Sequence, residues 1–209
     1  MNGYVVIDLE MCDVPKERRE NYDYCRELIQ IGAVYMDASL KITDSFMTYV
    51  KPQYGEISGF IERLTGISAT DVSDAPVFSE AMSKLLSWMP EGATLVTWSD
   101  SDTNQIYEEL EAKGIELPAI YPYLDEYIDC QLEFSEKLAT EKIYRLSEAL
   151  AIADIKYDPD MHDALVDARN TALLFAKIQS EDKLTLSPYF IPQSTEDSYT
   201  FDPFKKKKS

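Results

Sequence analysis

Tyr4-Val5-Val6-Ile7-Asp8-Leu9-Glu10 is a strand-forming run that ends in two carboxylates. Successive side chains of a strand point to opposite faces. Asp8 and Glu10 therefore share one face, while Ile7 and Leu9 turn the other way, into a core. Two like charges side by side at the end of an apolar strand cannot both stay ionised without compensation. A divalent cation supplies it, and oxygen-only ligands suit magnesium or manganese rather than zinc. The same pattern also fits a strand with an exposed acidic face, so other elements must decide.

The next two apolar runs, at 29–35 and 45–50, read as strands joined through a turn at 37–41. Lys51-Pro52 closes the third strand. Three strands with short connections predict an antiparallel meander. Ile57, Phe60, Ile61 and Leu64 then recur at helical spacing up to Gly66. A helix is expected over 76–89 with Pro76 in its first turn. A strand follows at 94–98, a helix at 103–113 closed by Gly114, and a further short strand within 120–128. Segments 130–138 and 146–153 look helical, and 163–179 clearly so. Strands first, then helices alternating with strands, predict a mixed α/β sheet with helices packed on it.

Two further elements bear on the acidic pair. In Val96-Thr97-Trp98-Ser99-Asp100-Ser101-Asp102 a strand runs into a helix, with Asp102 at the helix start and Asp100 as its competitor. An aspartate there also suits an N-cap. In Met161-His162-Asp163-Ala164-Leu165-Val166-Asp167 the one histidine of the chain precedes a helix carrying Asp167. On a regular helix, residues five apart point about 140° away from each other. From a loop before the helix, His162 can instead reach over the face that bears Asp167. Ala164, Ala168 and Ala172 keep that helix slim enough to lie close to the sheet.

Composition narrows the class. Apolar residues make up 45% of 209, enough for one domain with a real core. The expected division is a domain over 1–183 and a Pro-punctuated tail over 184–209 ending in Lys205–Lys208. That tail reads as a loosely docked extension or as an arm for nucleic acid. A net charge of −18 argues against a protein that grips long duplexes through many phosphate contacts. It leaves room for an enzyme that meets phosphate through metal ions. Cys12, Cys25 and Cys130 show no metal-ligand spacing. No apolar run nears the roughly 20 residues that span a bilayer, and no leader pattern is visible. A cytoplasmic protein without membrane attachment is expected.

The ordered set Asp8-x-Glu10, Asp102, His162-x-x-x-x-Asp167 closely resembles the DnaQ-like, RNase T-type exonuclease superfamily, in the branch with a histidine in its last motif. Residues 27–34 look like that family's second strand, 46–52 like its third and Leu64-Thr65-Gly66-Ile67 like the helix after it. Residues 98–102 look like the version in histone-mRNA and small-RNA exonucleases and in KapD-like proteins. The resemblance covers residues 3–180 and implies an RNase H-like five-stranded sheet, three antiparallel strands followed by parallel ones. It implies two divalent cations, Mg²⁺ or Mn²⁺, held by Asp8, Glu10, Asp102 and Asp167, with His162 as general base. It also implies 3′–5′ hydrolysis of single-stranded RNA or DNA ends to nucleoside 5′-monophosphates. A terminal base would be wedged by Leu9 or Met11 and by Phe60, Ile61 or Leu64. RNA or short oligonucleotides are the expected substrates. A proofreading or repair DNA exonuclease is the alternative, and a regulatory protein that retains the fold is a third reading.

Overall fold

The computed structural model describes residues 3–20, 22, 24–157 and 162–190. β1 (Tyr4–Asp13) is the middle of a five-stranded sheet. It pairs antiparallel with β2 (Arg26–Met36), which pairs antiparallel with β3 (Ile42–Tyr49). On its other side β1 runs parallel to β4 (Thr94–Thr97), which runs parallel to β5 (Ile128–Asp129). The expected order of three antiparallel strands followed by parallel ones is the order observed. Asp37 forms the β2–β3 turn by accepting the Ser39 and Lys41 N–H groups at 2.8 and 3.2 Å.

Helices cover both faces. Val5, Ile7, Leu9 and Leu28 pack with Phe78, Met82 and Leu85 of α3 (Phe78–Trp88) and Ile106 and Leu110 of α4 (Ser101–Ala112). On the opposite face Val6, Val34 and Val96 pack with Ala172 and Phe175 of α8 (Ala164–Ser180). Phe134 of α6 (Cys130–Lys137) and Leu150 of α7 (Leu146–Ile152) complete that second core. Leu184 is buried in it as well, and Ser187 N–H donates to the Ile152 carbonyl at 2.7 Å. A smaller cluster joins Cys12 and Ile29 to Ile61 of α1 (Gly59–Thr65) and Val72 of α2 (Ala69–Val72). No helix among the described residues is long and apolar enough to cross a membrane.

Three local expectations need correction. Pro76 precedes α3 instead of entering its first turn, because its carbonyl accepts the Lys51 N–H at 2.9 Å and the chain there is still extended. Most of 120–128 is not strand: α5 (Tyr121–Asp125), with Pro122 in its first turn, leaves two residues to β5. The cap of α4 falls on Asp100, so Asp102 lies inside the first turn. Met161 and residues 191–209, with the lysine run of the tail, lie outside the described residues.

Candidate active site

Backbone geometry brings the end of α8 unusually close to the sheet. Asp8 is paired with Gly32 across β1 and β2. A Cβ at position 32 would overlap the backbone of Ala164 and Leu165. Glycine inside a strand often marks such a close approach. The next pair in register, Glu10 and Gln30, adds a lock. Buried Gln30 accepts the Ala164 N–H at 3.0 Å and donates to the Asp163 carboxylate at 3.1 Å. Asp163 in turn caps α8 by accepting the Leu165 and Val166 N–H groups at 3.0 and 3.1 Å. Asp167, one turn into α8, is thereby held over Asp8 and Glu10. Gly32→Ala is expected to lower both the melting temperature and any activity of the site, because the helix must lift with its carboxylate. Unchanged values for both would show that the approach is not needed.

His162 lies just outside α8 with φ 72°, a left-handed conformation uncommon for a residue with a side chain. Its N–H donates to Asp167 Oδ2 at 2.9 Å. This bend lets the imidazole turn back over the acids. Ligand atoms of Glu10, His162 and Asp167 all lie within 4.8 Å of one another. Asp102 enters from the start of α4 and is buried, with its carboxylate accepting the backbone N–H of Leu9. Its competitor Asp100 is exposed.

Electrostatics records the same convergence. Burial pushes the Asp8 carboxyl well above the usual range, and Asp102, Asp167 and Glu10 push it further. Burial, then Asp167 and Asp102, carry Glu10 up to about 8. Burial carries Asp102 up to about 7 against the Leu9 N–H. Asp167 is raised by burial, with the His162 N–H opposing. No lysine or arginine is among the leading charges acting on these four acids. Asp167 Oδ1 is buried and has no hydrogen-bond partner among the described residues. A carboxylate cluster that no lysine or arginine neutralises, with one buried oxygen left without a hydrogen-bond partner, fits hard divalent cations. Cys12 is a bystander: burial, then Glu27 and Glu109, push its thiol up to about 12.

The proposed wedge residues separate into two groups. Leu9 is buried in the core on the far face of β1, and Ile61 is buried with Cys12. Met11 is partly buried against the first core. Phe60 and Leu64, 62% and 38% exposed, are the most open of the five. A cavity of about 430 Å³ opens at the acids, lined by Asp8, His162 and Asp167 and by residues 143–147. Neither that last segment nor Gln30 and Gly32 had a chemical motif to mark it. A glycine within an apolar strand was the one available hint.

Five strands in this order, with acids from β1, α4 and α8 meeting at one end, define an RNase H-like nuclease architecture. Residues 5–175 match the RNase T exonuclease family, and the chain belongs to it. It is 35% identical over 153 residues to the PolC-type DNA polymerase III of Caldanaerobacter subterraneus subsp. tengcongensis, covering 73% of this chain and 10% of that one. It is 28% identical over 187 residues to ERI1 exoribonuclease 2 of Danio rerio, covering 78% of this chain and 33% of that one. The chain thus spans about a tenth to a third of the length of these curated relatives. A crystal structure of a full-length 3′-exonuclease shares its fold, with a TM-score of 0.69 at 19% identity over 89% of this chain and 86% of that one.

Proposed function

We propose that the protein is a metal-dependent 3′–5′ exonuclease that removes nucleoside 5′-monophosphates from single-stranded RNA. The observation that carries this reading is the meeting of Glu10, His162 and Asp167 within 4.8 Å, beside an Asp8 that feels Asp102, Asp167 and Glu10 at once. Asp8, Glu10, Asp102 and Asp167 would hold two divalent cations, Mg²⁺ or Mn²⁺. Such ions supply the positive charge that draws in a phosphodiester and makes water more acidic.

The chain's own groups do the rest. His162, on the exposed side of the cluster, accepts a proton from the attacking water. The new bond forms between that water oxygen and phosphorus, and the bond to the 3′-oxygen of the preceding nucleotide breaks. The Asp167 carboxylate holds the His162 backbone, which fixes the base over the site. Phe60 and Leu64 offer exposed apolar surface on which an unpaired terminal base can rest. Ile61 anchors their helix against Cys12 and Ile29.

RNA is supported by the likeness to an exoribonuclease and by the strongly acidic charge, which disfavours long duplexes. A DNA exonuclease is the second reading, favoured by the likeness to a DNA polymerase at 35% identity. Matched RNA and DNA single strands, labelled at the 5′ end and incubated with Mg²⁺, test both. A ladder that shortens from the 3′ end, faster on RNA and stopped by EDTA, is expected. Faster loss of the DNA strand would favour the second reading, and digestion in EDTA would remove the metal from the scheme. In the same assay His162→Ala is expected to lower kcat by roughly 10²–10⁴, the usual worth of a general base. Undiminished turnover would take histidine out of the mechanism.

A further inference from the structure

The segment 143–147, which lines the site cavity, has features of a second substrate contact. Residues 143–147 alternate: Tyr144 and Leu146 are buried at 6% and 7%, whereas Ile143 and Arg145 are exposed. The backbone around Arg145 is fixed on both sides. Gln131 Nε2 donates to the Tyr144 carbonyl at 2.7 Å, and the Arg145 N–H donates to the Glu148 carboxylate at 3.0 Å. The Tyr144 ring sits edge-on against Phe134 with centroids 5.6 Å apart. The Arg145 side chain, by contrast, makes no ion pair among the described residues. Among the described residues it is the single lysine or arginine lining this cavity, which Asp8, His162 and Asp167 line as well.

A strand entering this cavity brings more than one phosphate. The acid cluster and its cations would meet the scissile phosphate, but the next one 5′ to it would face a chain of net charge −18 with nothing to neutralise it. An arginine fork is the side chain best shaped to hold a phosphate through two parallel hydrogen bonds. Ile143, 54% exposed next to it, offers apolar surface to the sugar of the same nucleotide.

We infer that Arg145, with Ile143 beside it, is a substrate-binding subsite for the phosphate one nucleotide upstream of the cleaved bond. This rests on the exonuclease reading above. The subsite would hold the strand in register for each successive cut without touching the reacting atoms.

The test compares a dinucleoside monophosphate NpN, which has only the scissile phosphate, with the trimer NpNpN, which adds the upstream one. Wild-type protein with Mg²⁺ is expected to prefer the trimer in kcat/KM, mainly through KM, by roughly 10- to 100-fold, the range of a charge-assisted hydrogen bond. Arg145→Ala should erase most of that preference by lowering trimer cleavage far more than NpN cleavage, and Arg145→Lys should restore part of it. Thermal unfolding of each variant checks that the fold is intact. A preference that survives in Arg145→Ala, or an equal loss on both substrates, would overturn the subsite while leaving the exonuclease reading standing. Wild-type protein that cleaves neither substrate would overturn the exonuclease reading and the subsite with it.

Discussion

Asp8→Ala is expected to abolish Mg²⁺-dependent digestion and, in EDTA, to raise the melting temperature. The two effects have one origin. Asp8 is a buried carboxylate on which Asp102, Asp167 and Glu10 all act, so in the proposed metal centre it would serve the cations while adding to the cost of burying the cluster. Burial first, and then repulsion among the acids, gives a pH dependence with a definite sign. Glu10 moves from 4.5 to about 8 and Asp102 from 3.8 to about 7 in the folded chain. Between the unfolded and folded values the native state binds more protons than the unfolded one. The contribution of these two groups to stability is then greatest below about pH 4 to 4.5 and is lost as pH rises through 7 and 8. Melting temperatures in EDTA between pH 5 and 9 should show that fall in the wild type and a shallower one in Asp8→Ala. Each kcal/mol recovered moves Tm by about 2–4 °C in a domain of this size. Retained digestion, or identical slopes in the two proteins, would contradict the shared origin.

The second large effect lies away from the acids. Lys113 Nζ is 2.6 Å from Glu27 and 2.7 Å from Glu109, and all three side chains are almost wholly buried. Glu27 also accepts the N–H groups of Gln53, Tyr54 and Gly55 at 2.6–2.7 Å. Glu109 accepts the Leu28 N–H at 3.0 Å. This network ties the loop after β3 and the end of α4 to the start of β2. Lys113→Met leaves two carboxylates buried without their cation, and losing one partner of such a group costs about 3–5 kcal/mol. Differential scanning calorimetry should register this as a Tm lower by roughly 6–20 °C. Adding Glu109→Gln should recover part of the loss, since one of the stranded charges is then removed. A single variant as stable as wild type would mean that solvent reaches these carboxylates.

The contrast between the two sites explains what the sequence reveals. The strand alternation at 4–10 places Asp8 and Glu10 on one face because period two is a local property. The order of apolar runs was enough for the sheet, since a meander and its crossovers follow from connection lengths. The position of His162 follows from its place just ahead of a helix start. The ion triad is not legible, because Glu27, Glu109 and Lys113 look like ordinary surface charges until the chain folds around them. Arg145 is hidden for the same reason: only the fold brings it into one cavity with Asp8 and Asp167. Leu9 carries two readings in the sequence, a core position by strand alternation and a wedge position by resemblance, and its burial matches the first. Pro76 shows how one hydrogen bond from Lys51 keeps a chain extended where local pattern alone starts a helix.

Anomalous diffraction from crystals grown with Mn²⁺ tests the convergence of the four acids most directly. Manganese peaks are expected between Asp8, Glu10, Asp102 and Asp167, and none is expected there in Asp8→Ala. Clear manganese density elsewhere on the chain with that pocket empty, or the same peaks in Asp8→Ala, would contradict the assignment of these residues as the metal centre.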